Sequence, residues 1–289
     1  MTVTGSAGAA FGADWSASLR RGSDTELRGW VEAALGWCDA ADAIALRTFR
    51  TGGVSVTRKP DRTFVTEADT AIERLVRERV AATFPGHGVL GEEYGDQSAG
   101  ASVRWYVDPI DGTHNYMRGV PLFATLLAAE RDGELQAAVV SAPALRARWY
   151  AWRGGGAWGV DAGGAPRRIK VSGITALDEA QVVYAGPIDV EASGLAPGFR
   201  RLRAAAWRER GFGDFWGYSL VAEGAAEAMV EIDLAPWDFA APQLLVEEAG
   251  GRVTDFDGRR QLDGRSILAT NGVIHDTVRD MLVSSREDA

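Results

Sequence analysis

The chain has 289 residues, 46% of them hydrophobic and 25% charged, an ordinary soluble composition with length for one large domain or two modest ones. Its formal net charge of -9 argues against a protein that grips nucleic acid through its overall field. A single cysteine, Cys38, excludes an internal disulfide and a cysteine-rich zinc site; no uncharged apolar run is long enough for a membrane span, and a cytoplasmic location is expected.

Residues 1–22 are small and polar and read as a flexible N-terminal tail. Over residues 25–49, Leu27, Trp30, Val31, Ala34, Cys38, Ala41 and Ala45 recur near the helical period, which predicts an amphipathic helix. Thr66 with Asp69 three residues on has the form of a capping box, and Ile72, Leu75, Val76 and Val80 mark the apolar face of a second helix ending near Pro85. VRWYV, FATLLAAE, LQAAVV and RWYAW predict a meandering, partly antiparallel sheet, with an Arg-Asp-Gly turn between the second and third strands and a Gly-rich hairpin near 154–164. From about residue 175 the units alternate. QVVYAG reads as a strand, FRRLRAAAWRER and GYSLVAEGAAEAM as helices, followed by a short strand into APWD. DFAAPQLLVEEAG is a helix closed by Gly250 and Gly251, GRVTDF and SILATN are strands, and HDTVRDMLVSS is a last helix. The expectation is a layered α/β (α+β) protein with an N-terminal α+β lobe over 23–170 and a C-terminal α/β lobe over 171–289, the site lying where they meet.

Four acidic features stand beside apolar residues at the edges of predicted elements: Asp69 in VTEAD, Glu92 and Glu93 in GEEYG, Asp108 and Asp111 in DPIDGT, and Asp238 in PWDFAA. Convergent carboxylates repel, so their pKa values rise or cations must stand between them. A chain with many oxygen donors, three histidines and one cysteine favours a hard ion such as Mg2+. In DPIDGT, Asp108 and Asp111 on one tight turn can hold adjacent cations, and the Ile110 carbonyl offers a further oxygen. Gly112 admits close backbone approach, the N–H groups of Gly112 and Thr113 can meet a phosphate, and Thr113 can pass on a proton from an attacking water. Each piece also has a purely structural reading: Asp-Pro-x-Asp-Gly is a common turn, Gly-Glu-Glu ends a strand, Asp69 starts a helix and Asp238 caps one.

The four pieces in this order, VTEAD at 65–69, GEEYG at 91–95, WYVDPIDGTHNY at 105–116 and PWDFAAPQLLVEEAGG at 236–251, resemble the inositol monophosphatase-like family of Mg2+-dependent, lithium-sensitive phosphatases. The resemblance implies a layered αβαβα sandwich of the inositol monophosphatase / fructose-1,6-bisphosphatase type, usually a homodimer. It implies metal ligands at Glu92, Asp108, the Ile110 carbonyl, Asp111 and Asp238. Glu92 with Thr113 would position the nucleophilic water, Asp69 would support Thr113, and Asp111, Gly112 and Thr113 would bind the phosphate. His114 and Tyr116 depart from the family pattern, and neither touches the metal set: His114 is expected as an exposed turn residue and the Tyr116 phenol as a tolerated replacement for Phe.

GDFWGY at 213–218, followed by LVAEGA, is similar to the histidinol-phosphatase branch of that family, and Glu231 sits where the family has a substrate-contacting glutamate. Histidinol phosphate carries an amine and an imidazole beside its phosphate, which Asp214, Glu231 and the face of Trp216 can hold by charge-assisted hydrogen bonds and cation–π contact. The structural reading has Asp214 capping the helix that carries Tyr218 and Leu220, with Phe215 and Trp216 in the core. The expected activity is hydrolysis of a small phosphate monoester, histidinol phosphate foremost, by metal-activated water in histidine biosynthesis. The alternative is an inositol-1-monophosphatase or broad sugar phosphatase, and a rival of another class is a non-catalytic binding protein on the same fold.

Overall fold

In the computed structural model, residues 24–51, 56–58, 64–262 and 265–284 are described, so the N-terminal tail lies outside them. The chain divides into two compact units, Met1–Arg168 and Ile169–Ala289.

The first unit opens with α1 (Thr25–Thr48), whose N-terminus is capped by Asp24 accepting from the N–H groups of Glu26 and Leu27. All seven apolar positions picked out by helical spacing are buried. A two-stranded antiparallel ribbon, β1 (Val56–Arg58) and β2 (Phe64–Thr66), leads into α2 (Glu67–Thr83), and the capping box of Thr66 and Asp69 is formed. The strands that follow are β3 (Gly88–Gly91), β4 (Gly95–Asp96), β5 (Val103–Asp111), β6 (Ala124–Arg131), β7 (Glu134–Ala142), β8 (Ala147–Trp152), β9 (Gly156–Asp161) and β10 (Arg167–Ile169). They form one sheet in the order β10-β9-β8-β7-β6-β5-β3-β4. From β5 to β9 it is an antiparallel meander, and β3 joins it parallel to β5. At the β6–β7 hairpin Asp132 and Gly133 have φ of 55° and 81°, the left-handed pair that a type I′ turn needs.

The apolar faces of α1 and α2 share one core with Trp105, Val107, Leu127 and Val139 of the sheet. Each such burial contributes about 1.5–3 kcal/mol. A charged tie crosses this core: Arg148 of β8 is fully buried and reaches Asp42 of α1 at 2.5 Å, Asp39 at 2.9 Å and the Leu35 carbonyl at 3.2 Å.

The second unit runs β11 (Gln181–Tyr184), α4 (Pro187–Val190), α5 (Ala196–Ala205), β12 (Arg208–Arg210), α6 (Asp214–Ala222), β13 (Ala228–Ile232), α7 (Pro236–Glu248), β14 (Arg252–Thr254), β15 (Ser266–Thr270) and α8 (His275–Val283). Its sheet has the order β12-β11-β13-β15-β14, with β11 parallel to both neighbours and β15 antiparallel to its own. Mixed sheets with helices make the fold α+β. No helix among the described residues is long and apolar enough to cross a membrane.

Two expected helices are corrected here. FRRLRAAAWRER stops being helical at Ala205, because Arg208–Arg210 pair in parallel with Gln181–Val183 and extend the sheet. GYSLVAEGAAEAM breaks at Gly224, whose φ of 73° is left-handed, and Ala228 and Met229, both fully buried, already belong to strand β13.

Candidate active site

In the first unit the acidic residues are placed by the ends of β3 and β5 and by the first turns of α2. β5 closes with DPID in an irregular register: Asp108 pairs with Leu126, but Asp111 pairs with Ala124. Two residues, Pro109 and Ile110, thus oppose Thr125 alone. Proline has no N–H to give to the ladder, and the Thr125 hydroxyl instead donates to the Pro109 carbonyl at 2.8 Å. This bulge sets Asp108, 2% exposed, and the partly exposed Asp111 on one bent strand end. Gly112 follows at φ 80°, ψ 38°, the left-handed conformation that turns the chain into the short helix α3 (Thr113–Met117).

Glu92 continues the parallel pairing of β3 with β5, its N–H donating to the Val107 carbonyl at 3.2 Å, so its neighbour across the strands is the Asp108 end of β5. Carboxylate oxygens of Asp69, Glu92 and Glu93 all lie within 4.8 Å of one another. Asp69 is fully buried; one oxygen accepts from the backbone N–H of Thr66 at 2.8 Å and from its hydroxyl, and the other makes no hydrogen bond. Burial pushes the Asp69 carboxyl up to about 6, against the lowering effect of the Thr66 bonds and with the help of the Glu92 charge. A buried carboxylate oxygen without a hydrogen bond, beside two further carboxylates and no softer donor, fits a hard divalent cation such as Mg2+.

One expected link is absent. The Thr113 hydroxyl donates to the Ile110 carbonyl at 3.0 Å, and Asp69 takes its hydroxyl partner from Thr66. The expected hydrogen bond between Thr113 and Asp69 is not formed: the Thr113 hydroxyl proton goes to the Ile110 carbonyl, and the capping box with Thr66 takes Oδ2 of Asp69 while Oδ1 makes no hydrogen bond. His114 is exposed as expected. The Tyr116 phenol is buried and satisfied, donating to the Ala45 carbonyl at 2.8 Å and meeting Thr48 Oγ1 at 2.6 Å.

In the second unit Glu231 lies on β13, 7% exposed, and accepts a hydrogen bond from the Tyr218 hydroxyl of α6 at 2.7 Å. Its strand neighbours Val230 and Ala228 face the opposite side, in the core with Phe199 and Leu282. Burial pushes the Glu231 carboxyl up to about 8; the Tyr218 bond opposes this, and the charges of Asp214 and Asp238 add to it.

Neither Asp214 nor Asp238 is the N-cap of its helix, although Asp238 makes the reciprocal bond of a capping box. Gly213 is the N-cap of α6 and makes no side-chain cap; Asp214 follows as the first helical residue at φ 55°, left-handed for a residue with a Cβ. Phe215 is core, but Trp216 is partly exposed. Asp238 is the third residue of α7, behind Ala235 at the N-cap and Pro236, and its carboxylate accepts from the Ala235 N–H at 2.7 Å.

Glu93, named with Glu92 among the acidic features but not among the expected ligands, belongs to the carboxylate cluster. One acidic residue escaped the reading from spacing. Glu73 is fully buried on the face of α2 that carries Ile72 and Val76; a charge four residues beyond Asp69 on an apolar helix face was its signal.

The profile of the inositol monophosphatase family matches residues 26–288. The chain is 43% identical over 245 residues to a histidinol-phosphatase of Mycobacterium tuberculosis, covering 85% of this chain and 94% of the relative. A histidinol-phosphatase of Streptomyces coelicolor is 42% identical over 242 residues, 82% of this chain and 91% of its own length. Among solved structures, an IMPase of Thermotoga maritima superposes with a TM-score of 0.80 at 29% identity, over 90% of this chain and 99% of that one.

Proposed function

We propose that this chain, which belongs to the inositol monophosphatase family and is a phosphoric monoester hydrolase, acts on histidinol phosphate with Mg2+ as its cofactor. The observation that carries the substrate is Glu231. Its carboxyl is buried beside a phenol and acted on by two further acids, Asp214 and Asp238, so a cationic amine brought beside it would offset the burial that chiefly lifts it and the repulsion that adds to it. Inositol phosphate offers hydroxyls and no cation, and gains nothing from that arrangement. Similarity to the histidinol-phosphatases over nearly their whole length supports the same reading.

The residues that would hold the metal are Glu92, Asp108, the Ile110 carbonyl, Asp111 and Asp238, with the unbonded Asp69 oxygen and Glu93 beside Glu92. Mg2+ held there would polarise the phosphoryl oxygens and acidify the attacking water. The chain does the rest. The N–H groups of Gly112 and Thr113, at the opening of α3, are offered to the phosphate. Glu92 and the Thr113 hydroxyl orient the water, the hydroxyl oxygen, whose own proton is donated to the Ile110 carbonyl, accepting from the water. Asp214 and Glu231 bind the amine, and the partly exposed Trp216 offers its face to the cation. A homodimer in the cytoplasm belongs to the same reading, through the family resemblance.

The test is kcat/KM measured side by side on histidinol phosphate and inositol 1-phosphate with Mg2+. A clear preference for histidinol phosphate is expected; equal values or the reverse order would replace it with the inositol-1-monophosphatase reading.

A further inference from the structure

Glu73 is fully buried in the first unit, yet it is no part of the metal set. It lies one helical turn beyond Asp69 on α2, so the two carboxylates project from the same face. Its Oε2 accepts the N–H of Glu93 at 2.6 Å, and its Oε1 accepts the N–H of Tyr94 at 3.1 Å. Arg77, a further turn along, donates to Oε1 from Nε at 2.9 Å and closes an ion pair at 2.7 Å. The same guanidinium donates to the Gly95 carbonyl at 2.5 Å and the Val89 carbonyl at 3.4 Å. The turn sits so tightly on this carboxylate that a side chain at position 91 would overlap it, which is why Gly91 stands there.

The backbone of residues 91–95 is thus held from beneath by an acid and its arginine, while the carboxylates of Glu92 and Glu93 stand together with that of Asp69. Left to themselves, three such groups would move apart. We propose that Glu73 is a positioning residue for the metal site: by taking the two amides it fixes where Glu92 and Glu93 meet Asp69, and Arg77 neutralises it so that the clamp adds no net charge to the acidic cluster. A hydrogen-bonded support behind metal-holding carboxylates sets their orientation, and its loss weakens metal affinity about 10–100-fold. The inference rests on the reading of Glu92 as a metal ligand.

The experiment uses the full chain stripped of metal and Mn2+ as the probe, its binding followed by the paramagnetic resonance signal of the free ion. Glu73→Gln keeps the size of the side chain but loses its charge and turns an N–H2 toward the amide donors. The expected result is Mn2+ affinity weakened about 10–100-fold, with the Mg2+ concentration for half-maximal turnover rising in step and the substrate KM at saturating Mg2+ unchanged. A folded Glu73→Gln protein whose Mn2+ affinity stays within about twofold of the parent overturns the proposal, since support of the fold alone would lower Tm and leave affinity intact. Should Glu73→Gln not fold, Glu73→Asp decides by the same criterion: it keeps the charge near Arg77 but falls one methylene short of the amides. The parent protein separates this inference from the reading beneath it: if it binds Mn2+ but hydrolyses neither ester, the proposed function fails while the effect of Glu73 on affinity is still measured.

Discussion

Asp42 and Asp69 are both fully buried aspartates of the first unit, and they meet that burial in opposite ways. Asp42 faces Arg148 at 2.5 Å and accepts the Ser141 hydroxyl at 2.9 Å, so its counter-charge is part of the chain and fastens α1 to β8. Asp69 faces Glu92 and Glu93 and keeps one oxygen without a hydrogen bond. An uncompensated charge is costly to bury in either place. At Asp42 the chain supplies the cation and the carboxylate serves the fold; at Asp69, beyond its capping box, the compensation we propose is a bound cation. His275 in the second unit solves the problem a third way. Fully buried between Thr254 and Thr270, it stays neutral, its pKa lowered to about 4 by burial and then by the charge of Arg252.

The contrast can be broken most directly at the ligand end. Asp108→Asn and Asp238→Asn are each expected to cut turnover about 10^3-fold while circular dichroism and Tm hold; near-normal activity in either refutes the metal assignment. At the structural end, Arg148→Met leaves Asp42 buried without its cation, and urea unfolding should show a loss of about 3–5 kcal/mol, with kcat per folded molecule little changed. A loss under about 1 kcal/mol would make this pair no different from a surface one.

His275 gives a pH signature. Its folded pKa lies below the ordinary value of 6.5, so between that value and about 4 the unfolded chain binds the extra proton. Its contribution is therefore complete above pH 6.5 and falls as pH drops toward 4, by up to about 3 kcal/mol. Denaturation curves of the parent and His275→Asn at several pH values should differ by that slope; parallel pH dependences would remove the neutral-histidine account. Asp69→Asn sharpens the comparison from the other side. In metal-free protein it removes a repelling charge, so unfolding free energy should hold or rise while turnover falls about 10^2-fold. A destabilisation above about 2 kcal/mol would place Asp69 with Asp42 as a support of the fold. The smallest effect is expected at Asp214→Asn, about tenfold in kcat/KM for histidinol phosphate and less for an uncharged phosphate ester; equal losses would take Asp214 out of the cation-binding reading.

Residues whose role depends on their immediate neighbours were legible before any fold was known. The seven buried positions of α1, the Thr66–Asp69 capping box and the turn at Gly112 each follow from spacing within a few residues. Arg208–Arg210 reads as part of a helix because three polar residues, two of them exposed, carry no period, and their strand exists only through pairing with Gln181–Val183. The competing structural reading made Asp214 and Asp238 N-caps, but Gly213 and Ala235 hold those positions, so capping preference alone does not locate a helix start.

DPIDGT is the case where local chemistry goes furthest: a proline, two acids around it and a glycine after it are enough to expect carboxylates and amides offered together, although the expected tight turn is a bulge within β5 that ends at Asp111. What spacing could not reach is which buried acid has its counter-charge. Asp42 and Arg148 stand 106 residues apart, and Glu73 meets the amides of Glu93 and Tyr94 across about twenty. Electrostatic compensation acts through space over a few ångströms, so whether a buried carboxylate supports the fold or awaits a ligand is decided by tertiary packing, which sets the charges beside it.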